Sequence, residues 1–302
     1  MKLRIGTRAS KLALWQAEWV AEALRRHGHD VELIHIRTEG DRTSQSLRAV
    51  GGRGVFTKAI QQALLANQVD VAVHSLKDLP TEPVPGLCLA AVPPREDTSD
   101  CLITRHQCPF TSLPAQARIG TGSLRRAAQL LHWRHDVVIA DIRGNVDTRL
   151  QKVHDGELDA IILARAGLNR LQLTEHIAEV LPTERMLPAV GQGALGLECR
   201  QEDAETHQAL RALDDNATHR AVLAERHVLR HLMAGCLAPV AAVAVVGKDQ
   251  LTLRARVLSP DGRQCVEAQQ TGPDSDPIAV AEAVTRQLRD AGAEELIALA
   301  RH

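Results

Sequence analysis

From its second residue the chain alternates short apolar runs with stretches of helical periodicity, and this alternation restricts its fold more than its composition does. KLRIG at 2–6 has the length and apolar content of a strand, and Ser10 stands where a helix N-cap belongs. The helix it opens carries Leu12, Trp15, Trp19 and Ala23 along one expected apolar face and stops at Gly28. VELIHI (31–36) reads as a second strand and residues 55–68 as a second helix. VDVAVHS (69–75) reads as a buried strand running into LKDLP, and LCLAAV (87–92) as one more strand. Strand, helix and strand in that order predict a mostly parallel sheet with helices on both faces.

The proline- and charge-rich VPPREDTSD (92–100) interrupts the pattern, which then restarts. DCLIT and ARIGT (117–121) read as strands, and Ser123 caps the helix LRRAAQLLHW. VVIADIRG is a strand, Asn145 caps VDTRLQKVHDG, and DAIILA (159–164) is a strand. The loop and strand LPAVGQGALGLECR (187–200) can return the chain to the first unit. A helix near 217–233 follows, then three strands of a meander (VAAVAVV, LTLRARVL and RQCVEAQQ) and a helix near 277–290. The predicted fold is α/β: two similar α/β domains joined by a double crossover, with a small α+β C-terminal domain built on a three-stranded antiparallel sheet. The expected boundaries are 1–93 plus 194–212 for the first domain, 99–188 for the second and 216–302 for the third.

Composition then removes whole classes of function. A net charge of −1 over 302 residues gives no basic field for nucleic acid or an anionic membrane surface. Aromatic residues make up 2% of the chain, with no tyrosine, too few for base-stacking platforms. The start MKLRIGTRAS lacks the apolar segment of a secretory signal, and LAPVAAVAVVG is too short to span a bilayer. The six cysteines form no C-x-x-C pair, so reduced thiols in a cytoplasmic protein are expected.

GQGALG (191–196) matches G-x-G-x-x-G, but a proline-containing loop precedes it and an apolar strand follows. A dinucleotide site needs a strand before those glycines and a helix after them, so none is expected. GGRGVFTK (51–58) lacks a Walker ending and reads either as a flexible loop or as a lid carrying Arg53 and Phe56. The fourteen histidines show no metal-ligand spacing, and no metal is expected.

The arginines carry more information. Thr121-Gly122-Ser123-Leu124-Arg125-Arg126 sets a hydroxyl cap and two guanidinia at a helix N-terminus, where free N–H groups already attract anions. Arg143-Gly144-Asn145, with Arg149 one turn on, repeats the arrangement, and Thr7-Arg8-Ala9-Ser10 does so in the other domain. One such turn reads as a solvated ion pair. Three of them, at strand ends that face the cleft of an open α/β sheet, predict a polyanion site between the domains. HSLKDLP (74–80) adds Ser75, Lys77 and Asp78 at another such end. A carboxylate among so many arginines suits a group that holds a developing cation or transfers a proton. Cys236, in MAGCLAPV, has no partner for a disulfide and no neighbours for a metal.

Taken together, IGTRASKLALWQA, GGRGVFTKAI, DVAVHSLKDLP, IGTGSLRRAAQL, IRGNVDTRL, DAIILARAGLNRL, LPAVGQGALGLECR and AERHVLRHLMAGC resemble the porphobilinogen deaminase (hydroxymethylbilane synthase) family, in order and over nearly the whole chain. The resemblance implies two domains like those of periplasmic binding proteins and an enzyme of heme biosynthesis. Such an enzyme condenses four porphobilinogens head to tail with loss of ammonia and releases a linear tetrapyrrole. It implies a dipyrromethane cofactor joined by a thioether to Cys236, with Asp78 as the catalytic carboxylate. It further implies that Arg8, Ser10, Ser75, Lys77, Thr121, Ser123, Arg125, Arg126, Arg143, Asn145, Arg149, Arg170 and Gln192 bind cofactor and substrate, and that Arg53 and Phe56 belong to a lid. A monomer that passes its product to uroporphyrinogen-III synthase would follow, with no nucleic-acid or membrane partner. The alternative is a polycarboxylate- or tetrapyrrole-binding protein of the periplasmic type without turnover. That reading leaves the third domain and Cys236 without a task.

Overall fold

The computed structural model describes residues 1–38, 57–233 and 238–300. Cys236 and the lid candidates Arg53 and Phe56 lie outside the described residues. The first lobe begins with β1 (Lys2–Thr7), α1 (Lys11–Arg26), β2 (Asp30–His35), α2 (Lys58–Leu65), β3 (Val71–Ser75) and β4 (Leu87–Ala91). The second holds β5 (Asp100–Thr104), β6 (Arg118–Gly120), α3 (Leu124–Trp133), β7 (Val138–Ala140), α4 (Val146–His154), β8 (Ala160–Ala164), α5 (Arg165–Arg170) and β9 (Glu179–Val180). The chain then returns as β10 (Leu195–Arg200) to the first sheet and continues through α6 (Ala204–Arg211) and α7 (Asn216–His231). It ends in β11 (Val240–Gly247), β12 (Gln250–Leu258), β13 (Cys265–Pro273), α8 (Pro277–Asp290) and α9 (Ala293–Leu299).

The two large sheets share one plan. Their strand orders are β2-β1-β3-β10-β4 and β7-β6-β8-β5-β9. The expectation of mostly parallel sheets needs correction, because each contains an antiparallel strand in its interior: β10 against β3 and β4, and β5 against β8 and β9. In each lobe that strand is the one arriving from the other lobe. It enters beside the carboxyl end of a neighbour, Leu195 opposite Ser75 and Asp100 opposite Ala164, and must therefore run backwards. Both crossovers consequently lie at the strand ends where open α/β sheets bind ligands.

The first core is formed by Leu3, Ile5, Val20, Leu24, Val71 and Leu197, and the second by Phe110, Ile119, Leu130 and Ile162. The face expected of α1 is displaced. Gln16, Ala17, Val20, Ala21, Ala23 and Leu24 are buried, whereas Trp15 is 36% exposed. The first turns of α1 overlook the cleft and only its later turns lie on the sheet. The strand expected at VVIADIRG stops at Ala140, and Gly144 (φ +106°) turns the chain into α4. Asn145 occupies the N-cap position, but its side chain makes no capping hydrogen bond.

The third unit stacks α7 and α8 on the antiparallel sheet β11-β12-β13. A buried carboxylate fastens it to both crossovers. Glu225 on α7 is fully buried and takes two hydrogen bonds from Arg95 (2.6 and 3.0 Å), one from the N–H of Gly191 (2.7 Å) and one from that of Ala244 (2.8 Å). The glycines of GQGALG serve this crossing. Gly193 (φ +87°) lies against Glu96, whose carbonyl a Cβ at that position would strike.

Candidate functional site

A cavity of about 330 Å³ opens between the lobes at the carboxyl ends of their parallel strands. The β1–α1 turn contributes Arg8 and Ser10, and the end of β3 contributes Ser75 and Lys77. From the second lobe come Arg126 on α3, Asn145 and Arg149 around the start of α4, and Arg170 on α5. Ser10 and Ser123 cap their helices as expected, accepting from Ala13 N and Arg126 N at 3.4 Å.

The lining is strongly cationic. Arg8, Lys11, Lys77, Arg126, Arg149 and Arg170 face one carboxylate, Asp147, which is itself paired with Lys11 at 2.5 Å across the mouth. Burial pushes the half-buried Lys77 down to about 8, and the Arg126 guanidinium adds to that effect against the pull of Asp78 and Asp100. Burial and Arg126 likewise bring Arg149 to about 10, and burial brings Arg170 to about 10. A cavity that strains its own cations in this way favours any ligand bringing carboxylates.

Asp78 ends a short 3-10 turn (Leu76–Asp78), is exposed, and has its charge felt by both Lys77 and Arg149. The turn is held from both sides: Leu76 N–H donates to Ala194 O, while Arg226 of α7 donates to the carbonyls of Leu79 (2.9 Å) and Pro80 (2.7 Å).

Other predicted residues stand elsewhere. Arg125 lies outside the cavity wall and is buried against Leu187 O (2.7 Å) and Asp100 (2.8 Å). Thr121 is buried and its hydroxyl oxygen accepts from Ser123 N (3.1 Å). Gln192 is fully buried, its amide donating to Thr98 O and Asp100, so its place is the crossover beneath the cleft. Arg143 is half-buried, with one Nη2 unpartnered among the described residues, and it adds to the field at Arg149.

Sequence reasoning missed Lys11, Gln16 and Asp100. Gln16 is 3% exposed and exchanges hydrogen bonds with Ser75 (2.8 and 3.2 Å); a glutamine on the buried side of α1 was the only sign of it. Among the described residues no group of three or more histidine, cysteine or acidic side chains gathers as a metal cage, and no helix is long and apolar enough to cross a membrane.

Two lobes, a double crossover and a cationic cleft with one carboxylate at its edge define a two-lobed α/β protein built to hold a polyanionic ligand. Residues 3–208 match the family model "Porphobilinogen deaminase, dipyromethane cofactor binding domain", and residues 219–290 match "Porphobilinogen deaminase, C-terminal domain". The chain is 48% identical to the porphobilinogen deaminase of Syntrophotalea carbinolica, covering 98% of this chain and 95% of that one. It is 46% identical to that of Trichlorobacter lovleyi, covering 98% and 96%. Solved structures similar to it include a periplasmic domain of BvgS from Bordetella pertussis (TM-score 0.43, 13% identity, covering 70% of this chain and 86% of that one). The chain belongs to the porphobilinogen deaminase family.

Proposed function

We propose that this chain is a hydroxymethylbilane synthase, a transferase that joins four porphobilinogens in sequence, releases ammonia at each step, and frees the linear tetrapyrrole by hydrolysis. The observation that carries this reading is the cavity itself, lined by six cationic side chains, two of which, Lys77 and Arg149, feel the charge of Asp78. Each porphobilinogen brings an acetate and a propionate, and a dipyrromethane brings twice as many carboxylates. The donor set fits such a group, and the unpartnered Nη2 of Arg143 offers one more donor near Arg149. Arg8, Arg126, Arg149 and Arg170 would hold the dipyrromethane and incoming rings, with Ser10, Ser75, Lys77 and Asn145 completing the lining. A dipyrromethane joined by a thioether to Cys236 would supply the primer for chain growth.

The chain's own residues supply binding and electrostatics. Arginine forks grip carboxylates in two places at once and fix ring orientation. Loss of ammonia leaves positive charge on the pyrrole, and the Asp78 carboxylate stabilises it while lying within the field of Lys77 and Arg149. The same carboxylate can take up the proton that must leave the ring after the new carbon–carbon bond forms. We assign the protein to the cytoplasm, acting as a monomer that delivers its product to uroporphyrinogen-III synthase.

Two measurements test this. Intact mass under denaturing conditions is expected to exceed the sequence mass by one dipyrrole, and Cys236→Ser is expected to remove the excess. Purified protein given porphobilinogen is expected to release a linear tetrapyrrole. Asp78→Asn is expected to lower kcat by about 10²- to 10³-fold, the cost of removing one preorganised electrostatic group. Binding without product would favour the non-catalytic alternative.

A further inference from the structure

Asp100 opens β5, the first strand after the outgoing crossover, and is fully buried. Its Oδ1 accepts from Arg126 Nε (3.1 Å), Arg126 Nη2 (2.7 Å) and Gln192 Nε2 (2.9 Å), and its Oδ2 lies 2.8 Å from Arg125 Nη1. A carboxylate at such depth needs a counter-charge, but one arginine suffices for that. Here two guanidinia share it, and only Arg126 also lines the cavity.

The donor inventory shows what this does. Arginine has five N–H groups. Arg126 spends two on Asp100 and one, from Nη1, on Ile162 O (3.0 Å). One N–H remains on each terminal nitrogen, on a guanidinium that cannot rotate without breaking three hydrogen bonds. Arg125, ion-paired with Asp100, and Gln192, its other donor, reach Leu187 O and Thr98 O, so both connections between the lobes are tied to the same carboxylate.

We propose that Asp100 is a positioning residue that fixes the Arg126 fork toward ligand carboxylates in the cleft and references that aim to the two crossovers. This rests on the reading of the cleft as a site for carboxylate-bearing pyrroles. Asp100 touches no ligand itself; it acts through Arg126.

The test is steady-state kinetics of the loaded protein with Asp100→Asn, which keeps an acceptor for Arg126 but removes the charge. KM for porphobilinogen is expected to rise about 10-fold, the scale of one misaimed charged hydrogen bond, with kcat held within about 3-fold. In an Asp78→Asn background, where turnover is slow, the calorimetric Kd for porphobilinogen is expected to rise by the same factor. Asp97→Asn, which breaks the Arg165 pair outside the cavity wall, is expected to leave KM unchanged. If the Asn variant does not fold, Asp100→Glu keeps the charge but moves it by one methylene, and a raised KM is again expected. An unchanged KM in the active variant, with any loss confined to thermal stability, overturns the inference. A wild-type protein that does not consume porphobilinogen overturns the reading beneath it instead.

Discussion

At the scale of the residue, Lys77 sets a pH dependence whose sign can be worked out. Its ordinary value is 10.5, and burial with the adjacent Arg126 brings it to about 8 in the fold. Between those values the unfolded chain holds a proton that the folded chain has lost. The Lys77 contribution to stability therefore rises with pH across the window and disappears as pH falls through about 8. Binding works in the opposite sense. A carboxylate placed beside Lys77 favours the ammonium, so ligand binding near pH 8 draws in a proton, and KM rises as the solution becomes more alkaline. The charged groups that face Lys77 are Arg126, Asp78, Asp100 and Arg125. Lys77→Arg, which stays protonated, is expected to flatten the alkaline limb, and Lys77→Gln to raise KM by about 10-fold at every pH. A profile of kcat/KM from about pH 6.5 to about 9.5 decides it, because an alkaline limb that survives in Lys77→Arg assigns the titration elsewhere.

At the scale of the element, α7 links the Asp78 turn to the third unit. Arg226 donates to two successive carbonyls just past Asp78, and the helix runs on toward the segment that contains Cys236. Arg226→Gln is expected to lower kcat by about 10-fold or more while KM changes little, since the turn loosens but the cationic lining stays. Equal kcat in wild type and variant, measured at saturating porphobilinogen, would show that Leu76–Ala194 holds the turn alone. This clamp was illegible in the sequence, because it joins residues 147 apart by main-chain acceptors that any sequence would provide. The longer elements were legible, with strand runs, Ser10 and Ser123 as caps and arginines at strand-to-helix turns following from local patterning; the short α5, β9, α6 and α9 were not. The failures share a cause. Trp15 belongs by periodicity to the core face of α1, yet it meets the guanidinium of Arg170 at 5.8 Å across the cleft. Arg125 and Arg126 are adjacent and chemically alike, and only packing sends one to the interior and the other to the cavity wall. Gln192 and Asp100 found their roles where two distant segments cross, which no local window contains.

At the scale of the whole molecule, two of the ties between the units are of opposite character. Lys11 meets Asp147 across the cleft mouth with 77% and 49% of their side chains exposed, so the pair is worth about 0–1 kcal/mol and weakens with salt. Such a tie cannot keep the lobes shut, and ligand can enter past it. Glu225 is the opposite case: fully buried, it anchors Arg95 of the outgoing crossover, Gly191 of the return crossover and Ala244 in the middle of β11. Removing its charge strands Arg95, whose side chain is only 10% exposed, and breaking a buried pair in this way costs about 3–5 kcal/mol. Lys11→Ala is therefore expected to leave the urea midpoint nearly unchanged. Glu225→Gln is expected to lower the midpoint strongly and to split the unfolding curve, because α7 and the C-terminal sheet lose their buried ionic fastening to the crossovers while keeping their own core. Separate fluorescence and circular dichroism curves report that split. A single, coincident transition within about 1 kcal/mol of wild type would mean that apolar contacts such as Val190 against the third core, and not Glu225, join the units.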